Sequence, residues 1–210
     1  MSAAKISFPL RASVWPPFDE MKKANPSKAE LRQQMRDLLA KLRADPAVHA
    51  QRSAKICSAI REHAAWKNAQ TVCAFLPMRA EPQIQELWKS DPGARRFCFP
   101  RVGGGALELV RIDEPAVLER ATWKMDLPEI SNAQTVSLAE VDLILVPGVA
   151  FSRDGWRLGR GGGFYDRLLA GRSTETTALG ICFEVQIAKA LPLEEHDLKV
   201  DAVVTESGAA

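Results

Sequence analysis

Residues 157–166 bring four glycines, two arginines and an aspartate together within a short segment. Glycine has no Cβ, so this segment can turn sharply and offer its backbone N–H groups to an anion. Residues 164–169 are typical of the start of a helix, whose N-terminus also favours an anion. Guanidinium groups suit phosphate or carboxylate oxygens. The candidate anion-binding residues are Arg157, Gly159, Arg160, Gly161, Gly162 and Gly163.

Carboxylates near this segment predict a cation. Asp166 lies about one turn into the predicted helix, where an acidic group beside a phosphate is best explained as a partner of Mg²⁺. Asp197 and Asp201 precede the last predicted strand and offer a second carboxylate. Mg²⁺ keeps several waters and uses substrate phosphates as its remaining ligands. The alternatives are a polar turn at residues 197–201 and a glycine-rich hairpin capped by Asp166.

Neither standard nucleotide-binding motif fits the glycine loop, defined here as residues 159–163. No Lys-Ser or Lys-Thr pair follows the glycines, so the P-loop pattern is absent. The dinucleotide pattern fails because Phe164 stands where a glycine is needed, and no strand is predicted immediately before Gly159. The loop is therefore predicted to hold phosphate in another way.

Strands and helices alternate along most of the chain, which predicts an α/β fold with a mostly parallel sheet covered on both faces. Ligands of such sheets bind beyond the carboxyl ends of the strands. Three strand exits are therefore expected to face one crevice: Leu76 with Glu81 close behind, Pro100, and the glycine loop. Strands are predicted at 71–76, 96–99, 107–112, 143–146, 178–183 and 202–205, and helices from Ser27, from Asp45, at 81–88, from residue 164 and at 185–190.

The first helix begins with two cations. Ser27 and Glu30 form a capping box, and Lys28 and Arg32 follow one turn apart. Cations are unusual at this end of a helix, because its dipole favours anions there. A bound polyanion would explain them; the alternative is two solvated charges.

Composition restricts the class of protein. The chain has 210 residues, 46% of them hydrophobic, and a formal net charge of +2, so no polybasic surface predicts a nucleic-acid or membrane partner. The four widely spaced cysteines are predicted to be buried thiols, and the three histidines form no ligand pattern. No apolar run approaches the ~18 to 20 residues of a membrane span. We expect a cytoplasmic monomer that acts on a small-molecule substrate.

Residues 1–26 contain four prolines and are predicted to be a flexible extension, followed by a single α/β domain at 27–206. The segment from Lys5 to Phe18 lacks acidic residues, so an organelle-targeting leader is the alternative to a mobile tail.

Six segments, in order along the chain, resemble the 5-formyltetrahydrofolate cyclo-ligase family, whose members are also called 5,10-methenyltetrahydrofolate synthetases. The glycine loop with its preceding Val-Pro-Gly is the most specific of them. The segments are KAELR at 28–32, FLPMRAE at 75–81, FPRV at 99–102, VPGVAF at 146–151, RLGRGGGFYDR at 157–167 and HDLKVD at 196–201.

The resemblance implies a three-layer α/β/α sandwich and an ATP- and Mg²⁺-dependent cyclisation of 5-formyltetrahydrofolate to 5,10-methenyltetrahydrofolate, with release of ADP and phosphate through a phosphorylated formyl oxygen. Positions matching the family's ATP contacts are Lys28, Arg32, Arg157, Gly159, Arg160, Gly161, Gly162, Gly163 and Tyr165. Positions matching its folate contacts are Leu76, Glu81, Arg160, Gly161, Gly162, Gly163 and Phe164. Asp166 and Asp197 match its Mg²⁺ ligands, and Arg160 and Asp166 are expected to be catalytic.

One departure and two other functions remain open. The family usually has tyrosine where this chain has Phe164, which puts one hydrogen bond in doubt. A related ATP-dependent enzyme could use the same loop on a different formyl or acyl substrate. A non-catalytic nucleotide- or folate-binding paralogue is the other alternative, although Glu81, Asp166 and Asp197 are all retained.

Overall fold

A computed structural model describes residues 26–91, 93–103, 106–112 and 134–209. The predicted extension at 1–26 lies outside them except for Pro26. The helices are α1 (Lys28–Arg43), α2 (Pro46–Glu62), α3 (Ala64–Asn68), α4 (Glu86–Lys89) and α5 (Phe164–Ala170). The strands are β1 (Thr71–Cys73), β2 (Arg96–Gly103), β3 (Ala106–Arg111), β4 (Thr135–Val136), β5 (Leu143–Pro147), β6 (Ala150–Phe151), β7 (Arg157–Leu158), β8 (Thr177–Ile181), β9 (Ala202–Thr205) and β10 (Gly208–Ala209).

Eight of these strands form one sheet in the order β10-β9-β8-β5-β1-β2-β3-β4. The five central strands β9, β8, β5, β1 and β2 run parallel to one another. The outer pairings β10–β9, β2–β3 and β3–β4 are antiparallel. The predicted α/β class with a mostly parallel sheet is confirmed. The last strand, β10, lies beyond the predicted end of the domain at residue 206.

The central strand β5 shows why the sheet is covered on both faces. Leu143, Ile144, Leu145 and Val146 are all fully buried. Successive side chains of a strand point to opposite faces, so both faces must be packed against other elements. No helix in the described part of the chain is long and apolar enough to cross a membrane.

Strand β2 runs past Pro100, so the predicted end of that strand at residue 99 is wrong. Ala74 donates to the carbonyl of Cys98 at 2.9 Å, and the backbone groups of Cys98 and Pro100 point to the same side of β2. The last β1 partner on that side is Cys73, which pairs with Cys98. Pro100, which has no N–H, therefore lies just beyond the last paired position of the β1–β2 ladder.

A two-stranded ribbon, β6–β7, carries the glycine loop, and it was not predicted; a strand does end immediately before Gly159. The ribbon is anchored by Phe151, whose ring is fully buried. A Cβ placed on Gly148 or on Gly180 would lie 2.5 Å from that ring, so only glycines permit this approach. The ring thus fixes the ribbon against β8 and sets where the glycine loop begins.

Two predicted helices are wrong in extent. The segment at 81–88 is helical only from Glu86, because the preceding residues turn inward: Glu81 donates its N–H to Met78 O at 2.9 Å, and Pro82 follows. The segment at 185–190 is a short 3-10 turn, Glu184–Gln186. The buried Gln186 side chain accepts from Phe183 N–H at 2.9 Å, a capping contact at the start of this turn.

Helix α1 begins with the predicted capping box, and its apolar stripe divides between two clusters. Leu39 and Leu42 belong to the main core. Leu31 and Met35 instead pack in a smaller cluster with residues of the ribbon and its approach, Val149, Ala150 and Leu158. The start of α1 is therefore positioned by the ribbon that carries the glycine loop.

Candidate functional site

A pocket of about 450 Å³ opens where β1, β2 and β5 end at their carboxyl side. This volume is within the range of small-molecule sites, which are mostly apolar with a few polar groups that fix orientation. The predicted convergence of three strand exits is confirmed. The pocket is lined by Phe75, Leu76, Met78, Glu81, Pro100, Pro147, Gly148, Arg157, Gly159, Arg160, Gly162, Gly163, Phe164, Tyr165 and Asp166.

One side of the pocket is formed by an ion pair between Glu81 and Arg160. Arg160 Nη2 donates to Glu81 Oε1 at 2.7 Å. Met78 N–H donates to the other oxygen, Oε2, at 2.8 Å. The Glu81 side chain is only 5% exposed, whereas that of Arg160 is 50% exposed. The carboxylate is therefore fixed in the wall, and the guanidinium reaches it from the loop.

A second ion pair in the pocket lining joins Arg157 and Asp166. Arg157 Nη2 donates to Asp166 Oδ1 at 2.6 Å, and the Arg157 side chain is 4% exposed. The guanidinium carbon lies 5.8 Å from the centre of the Tyr165 ring. Burial, together with the nearby Glu81 carboxylate, raises the pKa of Tyr165 well above its ordinary value, so the phenol is neutral. Arg157 Nε is buried and has no hydrogen-bond partner among the described residues.

The glycine loop presents backbone N–H donors near both ion pairs. Gly161 has φ of 104°, a conformation that residues with a Cβ rarely adopt. Among the described residues, no backbone carbonyl accepts a hydrogen bond from the N–H groups of residues 160–163. The loop therefore offers free donors next to two arginines, which is the arrangement predicted for an anion site.

The two cations at the start of α1 are not solvated charges. Arg32 Nε donates to the carbonyl of Gly159 at 2.9 Å, and its guanidinium lies 3.8 Å from where a Cβ of Gly161 would stand. Lys28 Nζ lies 2.7 Å from Asp197 Oδ2 and 3.2 Å from Glu194 Oε2. Neither Lys28 nor Arg32 lines the pocket, and Arg32 contacts the glycine loop directly. We call Lys28 and Arg32 the cationic side of the loop.

The pKa values on the cationic side follow from that pairing. Burial alone would lower the pKa of Lys28, but hydrogen bonds and charges from Asp197 and Glu194 outweigh it and raise the pKa above its ordinary 10.5. Burial alone would raise the pKa of Asp197, but the hydrogen bond from Lys28, the Glu194 N–H and nearby positive charge lower it. At neutral pH the pair is charged on both sides.

A match to a family model identifies the family of this chain. The model of the 5-formyltetrahydrofolate cyclo-ligase family matches residues 24–206. The chain belongs to the 5-formyltetrahydrofolate cyclo-ligase family. A mouse cyclo-ligase is 30% identical over 195 residues, which cover 87% of this chain and 93% of the mouse protein. The Escherichia coli K12 cyclo-ligase is 32% identical over 144 residues, which cover 66% of this chain and 79% of the bacterial protein.

Solved cyclo-ligase structures share the fold. The 5,10-methenyltetrahydrofolate synthetase of Aquifex aeolicus superposes with a TM-score of 0.74 at 29% identity, covering 87% of this chain and 91% of that one. The Mycoplasma pneumoniae synthetase superposes with a TM-score of 0.66 at 22% identity, over 86% of this chain and 99% of that one. The three-layer fold expected from the resemblance is thereby confirmed.

Most of the predicted cyclo-ligase site residues line the pocket. They are the predicted folate contacts Leu76, Glu81 and Phe164, the predicted ATP contacts Arg157, Gly159, Arg160, Gly162, Gly163 and Tyr165, and the predicted metal ligand Asp166. Lys28, Arg32 and Asp197 are absent from the lining. The two predicted Mg²⁺ ligands have different cationic partners, and no group of three or more metal-ligating side chains occurs in the described part of the chain.

Asp201 belongs neither to the pocket lining nor to the cationic side of the loop. It accepts two hydrogen bonds from Arg172, at 2.5 and 2.9 Å, and one from Ala178 N–H at 2.7 Å. Ala178 lies near the beginning of β8, so Asp201 stands at the amino end of the parallel strands, whereas the pocket is at their carboxyl end. The polar-turn alternative holds for this residue.

Sequence reasoning missed Gln186, which supports the pocket from behind. Its Nε2 donates to the carbonyls of Gly148 and Val149, both at 3.0 Å, and the side chain is buried. These bonds hold the turn between β5 and the ribbon. No sequence signal separates this glutamine from a surface residue, because its partners are about forty positions away.

Proposed function

We propose that this protein closes the ring of 5-formyltetrahydrofolate to give 5,10-methenyltetrahydrofolate, using ATP and releasing ADP and phosphate. The observation that carries the proposal is the position of the glycine loop. It stands between a largely apolar pocket with a buried carboxylate and the cationic side with Lys28 and Arg32. Membership in the cyclo-ligase family supports the same reaction.

The pocket suits the flat, partly apolar ring system of a folate. Phe75, Leu76, Pro100 and Phe164 supply apolar walls. Glu81 supplies one fixed acceptor, since Met78 N–H holds the carboxylate in place at 2.8 Å. We assign the pteridine end of the substrate to this carboxylate, so that the formyl group lies toward the glycine loop.

The cationic side suits the phosphates of ATP. The loop contributes N–H groups, Arg32 contributes a guanidinium beside Gly161, and Arg157 lies beside Gly159. Phosphoryl transfer requires chiefly positioning and neutralisation of charge, and these groups supply both. Arg160, the second residue of the loop, lines the pocket and places a further positive charge near the transferred group.

The carboxylates fit Mg²⁺ only when phosphate oxygens complete its coordination. Asp166 Oδ1 accepts from Arg157, and Asp197 Oδ2 accepts from Lys28 and from Glu194 N–H. Each aspartate keeps its second oxygen without a hydrogen bond among the described residues. Asp166 and Asp197 would hold the ion, which would neutralise and orient the phosphates.

The formyl oxygen is a poor leaving group, so the reaction requires its activation. Transfer of the γ-phosphoryl group forms an O–P bond to the formyl oxygen and breaks the bond to ADP. N10 then attacks the formyl carbon, loses its proton, and the C–O bond breaks with release of phosphate. N10 is held adjacent in the same molecule, and such proximity contributes about 7 kcal/mol or more in well-oriented cases.

The test is purified protein with 5-formyltetrahydrofolate carrying ¹⁸O in the formyl group, ATP and Mg²⁺. We expect the near-ultraviolet absorbance of the methenyl product and ¹⁸O in the released inorganic phosphate. Product with the label in water would eliminate the phosphorylated intermediate. Absence of product at any substrate concentration would eliminate the activity itself.

A further inference from the structure

The pocket is lined by two carboxylates, and only one of them has a partner that is free to leave. Asp166 is paired with Arg157, whose side chain is 4% exposed. Glu81 is paired with Arg160, whose side chain is 50% exposed. Rotation of Arg160 away from Glu81 therefore needs no repacking of the core, whereas Arg157 cannot move without it.

A buried carboxylate needs a donor at all times, because leaving it unpaired is costly. Glu81 Oε2 has Met78 N–H, but Oε1 depends on Arg160. A guanidinium and the 2-aminopyrimidinone edge of a pteridine have the same grouping, in which N–H donors flank one carbon. Both are therefore complementary to the same face of the Glu81 carboxylate.

The Arg160 guanidinium has a second possible partner, a phosphate bound at the glycine loop. It lies between Gly159 and Gly161, whose neighbourhood holds Arg32 and the unpaired N–H groups of residues 160–163. A polyphosphate bound there would be close to the backbone of Arg160. The guanidinium would then exchange a carboxylate partner for phosphate oxygens, which it binds equally well through its planar fork.

We infer that Arg160 occupies, in the ligand-free protein, the place on Glu81 that the pteridine takes, and that nucleotide phosphates draw it away. This inference rests on the proposed function. A folate that binds alone must displace Arg160. Its apparent association constant is therefore the intrinsic constant multiplied by the fraction of protein in which Glu81 is free. Nucleotide and folate therefore tighten each other's binding by the same factor, as linkage requires.

The test compares Arg160→Met with Arg153→Met in the full chain. Arg153 is a matched control, since its side chain is 52% exposed, it pairs with Glu184, and it does not line the pocket. Binding of 5-formyltetrahydrofolate is measured by calorimetry without nucleotide and with a non-hydrolysable ATP analogue plus Mg²⁺. Arg160→Gln serves as a second variant, in which an amide can still donate to Glu81.

For the wild type and Arg153→Met, we expect the analogue to tighten folate binding by about 10-fold, within the usual range of coupling between sites. Arg160→Met should bind folate more tightly than the wild type when nucleotide is absent, and the analogue should add less than about 3-fold. Arg160→Gln should shift in the same directions by a smaller factor.

The inference is overturned if Arg160→Met binds folate alone no more tightly than the wild type, or if its coupling to nucleotide equals that of the wild type. Either result in a protein that still binds both ligands leaves the proposed function standing. A wild-type protein that binds neither ligand and forms no methenyl product contradicts the proposed function as well.

Discussion

Arg157 Nη2 lies 2.6 Å from Asp166 Oδ1, so a predicted metal ligand is held by a guanidinium that is almost wholly buried. The pair joins strand β7 to the first turn of helix α5 across the glycine loop. The Asp166 carboxylate therefore balances a charge that water cannot reach, and the proposed function gives it a second purpose as a ligand of Mg²⁺.

Asp166→Asn tests both purposes. We expect turnover to fall by orders of magnitude, since the charge acts where phosphoryl charge develops. We also expect the free energy of unfolding to fall by about 3 kcal/mol, because Arg157 is left buried without an anion. Urea unfolding and turnover per folded molecule separate the two effects. Asp37→Asn, an exposed change on α1, is the control, and wild-type turnover in Asp166→Asn would contradict the catalytic assignment.

Arg32→Met tests whether the start of α1 binds nucleotide. The Arg32 guanidinium holds the Gly159 carbonyl at 2.9 Å and faces Gly161. Loss of a charged donor is worth about 1.5 to 3 kcal/mol, so the apparent KM for ATP should rise about 10-fold or more. Arg36→Met, one turn along the same helix, removes contacts to Gln33 and no others among the described residues, so it should leave this KM unchanged. Equal KM values for the two variants would return Arg32 to a purely structural role.

His49 predicts how stability changes with pH. Burial, together with the charge of Arg43, lowers the pKa of His49 below its ordinary 6.5, and its Nε2 is buried without a partner among the described residues. The unfolded chain therefore takes up a proton first as pH falls below 6.5, so stability is lost there until the pH passes the folded pKa.

His49→Leu should remove that loss. We expect the difference in free energy of unfolding between about pH 7.5 and about pH 5 to be smaller in this variant than in the wild type. An identical pH dependence for His49→Leu and the wild type would show that His49 titrates in the same way in both states.

Local sequence patterns predicted an element correctly where the residues of one segment determine its structure. The capping box at Ser27 and Glu30 begins α1, and the apolar run at 143–146 forms β5. The helix predicted at 81–88 was wrong because Glu81 is drawn into the pocket wall by partners outside its own turn. Strands of two residues, such as those of the β6–β7 ribbon, are too short to show the alternation of apolar and polar residues that identifies a strand.

The candidate site was predicted in its residue types and only partly in its pairing. Residue types and spacing indicated Arg160, Asp166 and Asp197, and the resemblance added a folate contact for Glu81. No sequence pattern could pair Glu81 with Arg160, which are 79 positions apart. Nor could it pair Lys28 with Asp197, at a separation of 169 positions. Such contacts depend on how the sheet brings strand ends together, so they become visible only in three dimensions.

The division of the α1 stripe between two clusters affects how the protein fluctuates. The first half of the helix, with Leu31 and Met35, is held by a small cluster, and the second half is part of the main core. Local opening follows the size of the unit that must come apart. The first turns of α1 can therefore separate from the ribbon while the sheet remains closed, and amide hydrogens there exchange with solvent sooner than those around Leu39 and Leu42. Lys28 and Arg32 are carried on the part of the helix that opens most readily.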